Sequence, residues 1–187
     1  MKNSNPALRY GLIGAAILVA AGIVFQLYTL SYLKKTVRDP ESFSYTTSMI
    51  IGLVSLVIVA GVFIFCIVAT QRQYRKLNPE YSYRDLVGQG LWVTLVLVLV
   101  STAASYLYNY VVSPEMKART LELTRQLYDV MDLPAEQKEK IMSAIENRNP
   151  VRELLTSVGL MLLLGMIVSL ISAMVLNRRN ITPNQMR

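Results

Sequence analysis

Residues that could carry acid–base, nucleophilic or metal chemistry are scarce in this sequence. Histidine is absent, and Cys66 is the single cysteine among 187 residues. A Ser/His/Asp or Cys/His catalytic arrangement, or a zinc site of the usual ligands, therefore cannot form. A Ser/Lys dyad stays formally open, but no spacing in the chain points to one. We expect no enzyme, no catalytic residue and no cofactor.

One group of carboxylates could be considered for a divalent metal: Asp129, Asp132, Glu136 and Glu139. A metal site would need oxygen ligands that converge on one point. Their spacing matches no metal-binding loop, and Lys138 and Lys140 lie among them. We interpret this group as a solvated surface and predict no metal site.

One group of cations could be considered for nucleic acid: Arg72, Arg75, Lys76 and Arg84. This group follows directly on a long apolar run. Beside such a run, anionic lipid headgroups are the nearer partner, at about 1 kcal/mol for each basic residue near the surface. We expect contact with the lipid bilayer and no binding of nucleic acid.

The elements that would position these groups are set by four runs without any charged residue, at 10–33, 42–71, 86–114 and 154–177. About 20 apolar residues in a helix cross the ~30 Å hydrocarbon core, and a helix satisfies its own backbone hydrogen bonds in lipid. Helices of soluble proteins average about 11–12 residues, so a soluble four-helix core is disfavoured. The sequence predicts an all-α membrane protein, a bundle of four transmembrane helices. Spans are expected at about 8–32, 46–70, 86–111 and 152–176 of a single membrane domain, 1–187.

Polar but uncharged side chains occur within these runs. Those of interest are Gln26, Gln89, Thr94, Ser101, Thr102, Ser105, Asn109, Ser169 and Ser172. They could line a polar cavity, or they could form hydrogen bonds between helices, worth on average about 0.6 kcal/mol each. The second interpretation is the more common one. The absence of ionisable residues from the runs disfavours proton relays, voltage sensors and most ion-coupled transporters.

Small residues recur at helix-packing spacing in the fourth run. Gly165, Ser169 and Ala173 form one stripe, and shorter stripes are Ser101 with Ser105 and Gly11 with Ala15. Small residues let helix backbones approach closely. We predict that the Gly165 stripe packs within the bundle, with a dimer face as the alternative.

The segment 115–153 differs from the rest because it is rich in both acidic and basic residues. Its apolar residues recur at helical spacing on both sides of a turn at residues 132–134, which predicts a short extracytoplasmic helical hairpin between the third and fourth spans, at about 113–149. The residues on its two apolar faces are candidates for docking a partner: Leu123, Leu127, Met131, Ile141, Met142 and Ile145. Mutual packing is the other way to cover these faces. Lipid is the weakest cover, since interfacial helices are usually rich in Lys and Arg.

Orientation is inferred from the basic residues on each side of the membrane. The side with both termini and the middle loop carries nine basic and two acidic residues, whereas the other side carries ten of each. The rule counts Lys and Arg near the spans, and Lys34, Lys35 and Arg38 argue weakly for the opposite orientation. We predict that both termini are cytoplasmic.

Several short stretches together resemble one known family. They are residues 5–14 (NPALRYGLIG), 73–76 (QYRK), 83–90 (YRDLVGQG), 108–116 (YNYVVSPEM) and 133–137 (LPAEQ). Their order and spacing are similar to those of the bacterial domain-of-unknown-function family 4199. The chain departs from that pattern at residues 80–82 (EYS), where a glycine-rich turn would be expected.

The resemblance implies a multi-pass protein of the bacterial inner membrane, with four helices and a long loop before the last. It implies no activity and supplies no catalytic or binding residue. The leading functional hypothesis is a non-enzymatic protein that docks or stabilises a membrane protein partner, or a second copy of itself, in a membrane complex. The alternative is a small transporter or lipid-handling membrane protein, with a cavity lined by the polar residues of the spans. An intramembrane enzyme ranks last.

Overall fold

Six α-helices and one π-helical segment make up the computed structural model, which describes residues 5–39, 43–131, 134–146 and 149–178. The elements are α1 (Pro6–Arg38), α2 (Tyr45–Leu77), α3 (Tyr83–Leu107), the π-helical segment (Tyr108–Val112), α4 (Pro114–Val130), α5 (Ala135–Glu146) and α6 (Pro150–Arg178). All regular secondary structure in these ranges is helical. The predicted all-α class is confirmed.

Helix ends coincide with the capping residues of the sequence. Asn5 precedes Pro6, the first residue of α1, and its side chain accepts a hydrogen bond from the Ala7 amide at 3.1 Å. Ser82 and Asp85 form a reciprocal capping box at the start of α3. Such residues satisfy amide groups that the first turn of a helix leaves without partners.

Four helices are long and apolar enough to cross a membrane, at Pro6–Arg38, Thr46–Leu77, Tyr83–Val112 and Leu154–Asn177. Their outward faces carry large apolar side chains such as Leu53, which is 60% exposed, and Leu160, which is 64% exposed. An apolar surface of this extent is suited to lipid. The chain is a multi-pass membrane protein, as predicted.

The buried core lies at one end of this bundle. We call the end that holds Pro6, Arg178 and the α2–α3 turn the terminal half, and the opposite end, which holds the α1–α2 connection and α4, the loop half. Helix α3 packs against α1, α2 and α6. The main core cluster lies in the terminal half and consists of Ala7, Phe63, Cys66, Ile67, Val93, Leu97 and Val98.

Glycines of α1 let the helices approach closely in the terminal half. A Cβ atom on Gly11 would lie 2.7 Å from Val96 Cγ1, and one on Gly14 would lie 2.6 Å from Cys66 Sγ. These distances are too short for any side chain larger than hydrogen unless a neighbour shifts. The two glycines therefore set the separation of α1 from α3 and α2.

In chain order, α4 and α5 follow α3 and precede α6, as predicted. Helix α4 packs against α1. Lys138 Nζ joins α5 to α4, since it donates to the Asp129 carbonyl at 3.0 Å and lies 3.2 Å from Asp129 Oδ1. The predicted turn residues Asp132 and Leu133 lie outside the described residues. The hairpin in its full form stays a prediction.

Candidate functional site

A cavity of about 520 Å³ lies among α1, α2, α3, the π-helical segment and α6 in the loop half. Along α3 it reaches from Ser101 to Tyr110, which corresponds to about 13 Å at 1.5 Å per residue. Its volume is within the ~300–1,000 Å³ range of small-molecule sites.

The cavity exists because the four long helices do not close on one another in the loop half. In α2, no described residue before Phe63 is buried, and in α6 none before Gly165 is buried. In α3, none after Ser101 is buried. These three helices are thus buried only in the terminal half, whereas α1 also buries Leu30, Leu33 and Thr36 in the loop half, where it packs against α4.

The cavity wall is apolar on most sides and polar along α3. Helix α1 contributes Leu18 and Phe25, and α6 contributes Leu154 and Met161. The polar lining residues are Ser101, Thr102, Ser105 and Asn109 on one face of α3 and the π-helical segment, Ser55 on α2, and Ser157 on α6. No charged residue is among those that line the cavity in the described part of the chain.

Hydroxyl groups in the cavity differ from many others in these helices. A serine or threonine in a helix often donates to the carbonyl four residues earlier. Thr94 does so to Gly90 at 2.8 Å, and Thr156 to Arg152 at 2.8 Å. Four cavity hydroxyls make no such bond within the described residues: Ser55, Thr102, Ser105 and Ser157. These hydroxyls remain available to a ligand or to water.

The π-helical segment shapes the outer part of the cavity. Its wider turn is closed by the Ser113 amide, which donates to the Tyr108 carbonyl at 2.8 Å. Asn109 Nδ2 donates to the Ser105 carbonyl at 2.9 Å, and the rings of Tyr106 and Tyr110 stack at a centroid distance of 4.4 Å. Single π turns within α-helices are frequent at functional sites. Here the turn places an amide and two aromatic rings at the cavity.

A second polar group closes the terminal half and is separate from the cavity. Gln71 is fully buried, and its Nε2 donates to the carbonyls of Leu86 at 3.0 Å and Ser169 at 3.2 Å. One side chain therefore links α2, α3 and α6. Gln71 Oε1 and Ser169 Oγ are both buried without a hydrogen-bond partner among the described residues. This arrangement holds the three helices together by hydrogen bonds.

The predicted packing stripe lies in this closed region. Gly165, Ser169 and Ala173 are all buried. A Cβ on Gly165 would lie 2.2 Å from Thr94 Cγ2, and one on Gly90 would lie 2.5 Å from Ser169 Oγ. The stripe therefore faces α3 within the bundle.

The residues predicted to dock a partner are partly covered by the protein itself. Leu127 on α4 is buried, being 7% exposed. The four others with described side chains are half-buried: Leu123, Met131, Ile141 and Met142. The side chain of Ile145 lies outside the described ones. Because α4 packs against α1, its apolar face already has a cover within the chain.

Some of the charged groups considered for metal or nucleic acid make local contacts. Besides the Asp129–Lys138 pair, Glu136 Oε1 accepts from Lys140 Nζ at 2.6 Å. Arg75 donates to the Leu176 carbonyl at 3.3 Å and stacks over the Tyr81 ring. Each of these contacts places a charge at the surface of the bundle, where solvent and headgroups reach it.

Sequence reasoning missed part of both polar groups. It did not single out Gln71, because this residue ends an apolar run and is followed by Arg72. It also left out Ser55 and Ser157. The residues expected either to line a polar cavity or to form hydrogen bonds between helices did include Ser101, Thr102, Ser105 and Asn109.

Comparison with known proteins gives a family and no activity. The sequence model of a family described as a protein of unknown function, DUF4199, matches residues 9–178. No curated protein and no solved structure matches the chain. The match covers most of the chain, including all four long helices. The chain therefore belongs to the DUF4199 family.

Proposed function

We propose that this protein is a non-enzymatic, lipid-handling membrane protein that accepts an amphiphile from the bilayer in its loop-half cavity. The observation that carries the proposal is the cavity itself, with apolar walls on α1 and α6 and a polar face on α3. A site of that kind suits a molecule with a hydrocarbon chain and a polar head.

The arrangement of packing supports this proposal. The terminal half is closed by Gln71 and by the glycine contacts, so a chain that enters from the loop half meets a floor near Ser101. On the loop half, α2 exposes large apolar side chains such as Met49, at 68%, and Leu56, at 66%. Lipid is the natural neighbour of such a surface. The cavity thus lies next to its proposed source of ligand.

Docking of a membrane protein partner, the leading hypothesis from the sequence, is less favoured by the geometry. The α4 face packs against α1, and Leu127 is already buried there. Half-buried Ile141 and Met142 on α5 are the part of the predicted surface that a partner could still use. Docking on α5 stays a prediction beside the lipid proposal.

We test the proposal by filling the cavity. Gly22 lines it, and a Cβ there would have nothing within 4 Å, so Gly22→Trp adds a ring without a clash at its first atom. Gly61→Trp on α2 is the matched control, since Gly61 is equally open and does not line the cavity. Each variant is purified from native membranes, and its bound lipid is extracted and quantified by mass spectrometry.

We expect wild-type protein and Gly61→Trp to retain a specific lipid, and Gly22→Trp to retain at least fivefold less. Thermal unfolding in detergent shows whether each variant is folded. If Gly22→Trp does not fold, the smaller change Gly22→Leu takes its place. Equal lipid in folded wild-type and Gly22→Trp protein would show that the cavity is not the binding site.

A further inference from the structure

We propose that the ligand of the loop-half cavity is an uncharged lipid, one hydrocarbon chain with a small oxygen-bearing head such as a glycerol ester or an alcohol. This inference rests on the proposed function and adds the chemical class of the ligand. It excludes free fatty acids and phospholipids from the cavity.

The first argument is the set of hydrogen-bonding groups. The lining residues on three helices include Ser55, Thr102, Ser105 and Ser157, whose hydroxyl groups make no hydrogen bond within the described residues. Asn109 uses its Nδ2 on the Ser105 carbonyl, which leaves its Oδ1 as an acceptor. Hydroxyls both donate and accept, so they match ester and alcohol oxygens.

The second argument is the absence of a countercharge. The described residues that line the cavity include no Lys and no Arg. On α1, the nearest basic residue beyond Phe25 is Lys34, about 13 Å further along the helix axis at 1.5 Å per residue. On α6, Arg152 follows the lining residue Val151, but it is exposed and is not itself among the lining residues. A carboxylate or phosphate in the cavity would be removed from water without an ionic partner, which is strongly unfavourable. An uncharged head avoids this penalty.

The third argument is size and shape. The cavity holds about 520 Å³, and the lining residues nearest the closed terminal half are Leu18, Ser101 and Met161. Its apolar walls provide burial for one hydrocarbon chain. Two chains and a phosphate head would need a larger site.

The experiment compares three probes that share an oleoyl chain and differ in the head: monooleoylglycerol, oleate and oleoyl lysophosphatidylglycerol. Full-length protein is freed of lipid by detergent exchange, and the bound fraction of each probe is measured by native mass spectrometry. We expect monooleoylglycerol to bind at least tenfold more tightly than either anionic probe.

A variant pair tests the hydroxyls. The double change Thr102→Val with Ser105→Ala removes two hydroxyls while keeping nearly the same volume, and we expect it to weaken monooleoylglycerol binding about tenfold. Thr156→Val is the control, because Thr156 lies beside Ser157 but bonds to its own helix and does not line the cavity. It should bind like the wild type.

The outcomes separate the two proposals. If an anionic probe binds as tightly as monooleoylglycerol, the uncharged class is wrong and the proposed function stands. If the double variant binds monooleoylglycerol like the wild type, the hydroxyls do not recognise the head and the inference fails. If none of the probes binds and native protein also carries no lipid, the proposed function itself is overturned.

Discussion

Single residues decide how closely the helices of the terminal half approach. Gly165 stands against Thr94, where a Cβ would lie 2.2 Å from Cγ2 and 2.5 Å from Oγ1. Gly159, six residues earlier on the same helix, has nothing within 4 Å of a Cβ position. Glycine is therefore required for close packing at position 165, whereas at position 159 a larger side chain would meet no neighbour.

This contrast gives a prediction about stability. Gly165→Ala should destabilise the protein by about 1–3 kcal/mol, since an added methyl group forces α6 away from α3. Gly159→Ala should leave stability unchanged or raise it by up to about 1 kcal/mol, because alanine is the better helix former. Unfolding in a denaturing detergent series measures both. Equal stability of the two variants would contradict the close contact, and Thr94→Ala should partly restore Gly165→Ala.

The two polar groups show what the sequence could and could not predict for single residues. The stripe Gly165, Ser169 and Ala173 was found because small residues at a spacing of four are typical of close helix packing. Gln71 was not found, because the sequence does not say which helix face a run's last residue occupies. Its burial goes with hydrogen bonds to Leu86, 15 residues further along the chain, and to Ser169, 98 residues further along.

At the level of whole helices, capping residues and hydropathy predict that a helix is present better than they predict the residues at which it begins and ends. The predicted first span ended near residue 32, whereas α1 continues to Arg38. The extension buries Leu33 and Thr36 at the end where α1 packs against α4. No pattern in the sequence predicts the π-helical segment, because one extra residue in a helical turn leaves the spacing of apolar residues almost unchanged.

The contact of α4 with α1 gives a prediction at this scale. Leu127 is buried on α4, and truncating a buried leucine costs about 2–5 kcal/mol in a packed core. Leu127→Ala should therefore raise the exchange rate of the α4 backbone amides at least tenfold. Gln126→Ala is the control, because Gln126 is exposed. Hydrogen exchange with mass spectrometry measures both, and unchanged exchange in Leu127→Ala would mean that α4 is held by something other than this face.

At the scale of the molecule, the physics of the bilayer made the four-helix class predictable. An apolar run of this length has few stable structures other than a membrane-spanning helix. The cavity was not predictable, since Ser101, Thr102, Ser105 and Asn109 suit either a polar cavity or hydrogen bonds between helices. Which of the two holds depends on whether neighbouring helices close, and the sequence pattern of one helix does not contain that information.

Orientation in the membrane is the property of the whole molecule that charge alone predicts. The terminal half carries Arg72, Lys76 and Arg84 at its exposed surface. Lys and Arg concentrate on the cytoplasmic side of short loops. We therefore propose that the terminal half faces the cytoplasm of a bacterial inner membrane and that the cavity opens toward the opposite side.

Cysteine labelling in intact cells tests this orientation. In a Cys66→Ala background, single cysteines replace Gln126 on α4 and Glu80 in the α2–α3 turn, both of which are exposed. Ser4 and Gln185, which lie outside the described residues, are replaced in two further variants to report on the termini. We expect an impermeant maleimide to label position 126 in intact cells, and the three other positions only after permeabilisation. Labelling of the three others without position 126 would reverse the orientation and place the cavity opening on the cytoplasmic side. Labelling of all four in intact cells would contradict the four-span arrangement, because four crossings put position 126 opposite the other three.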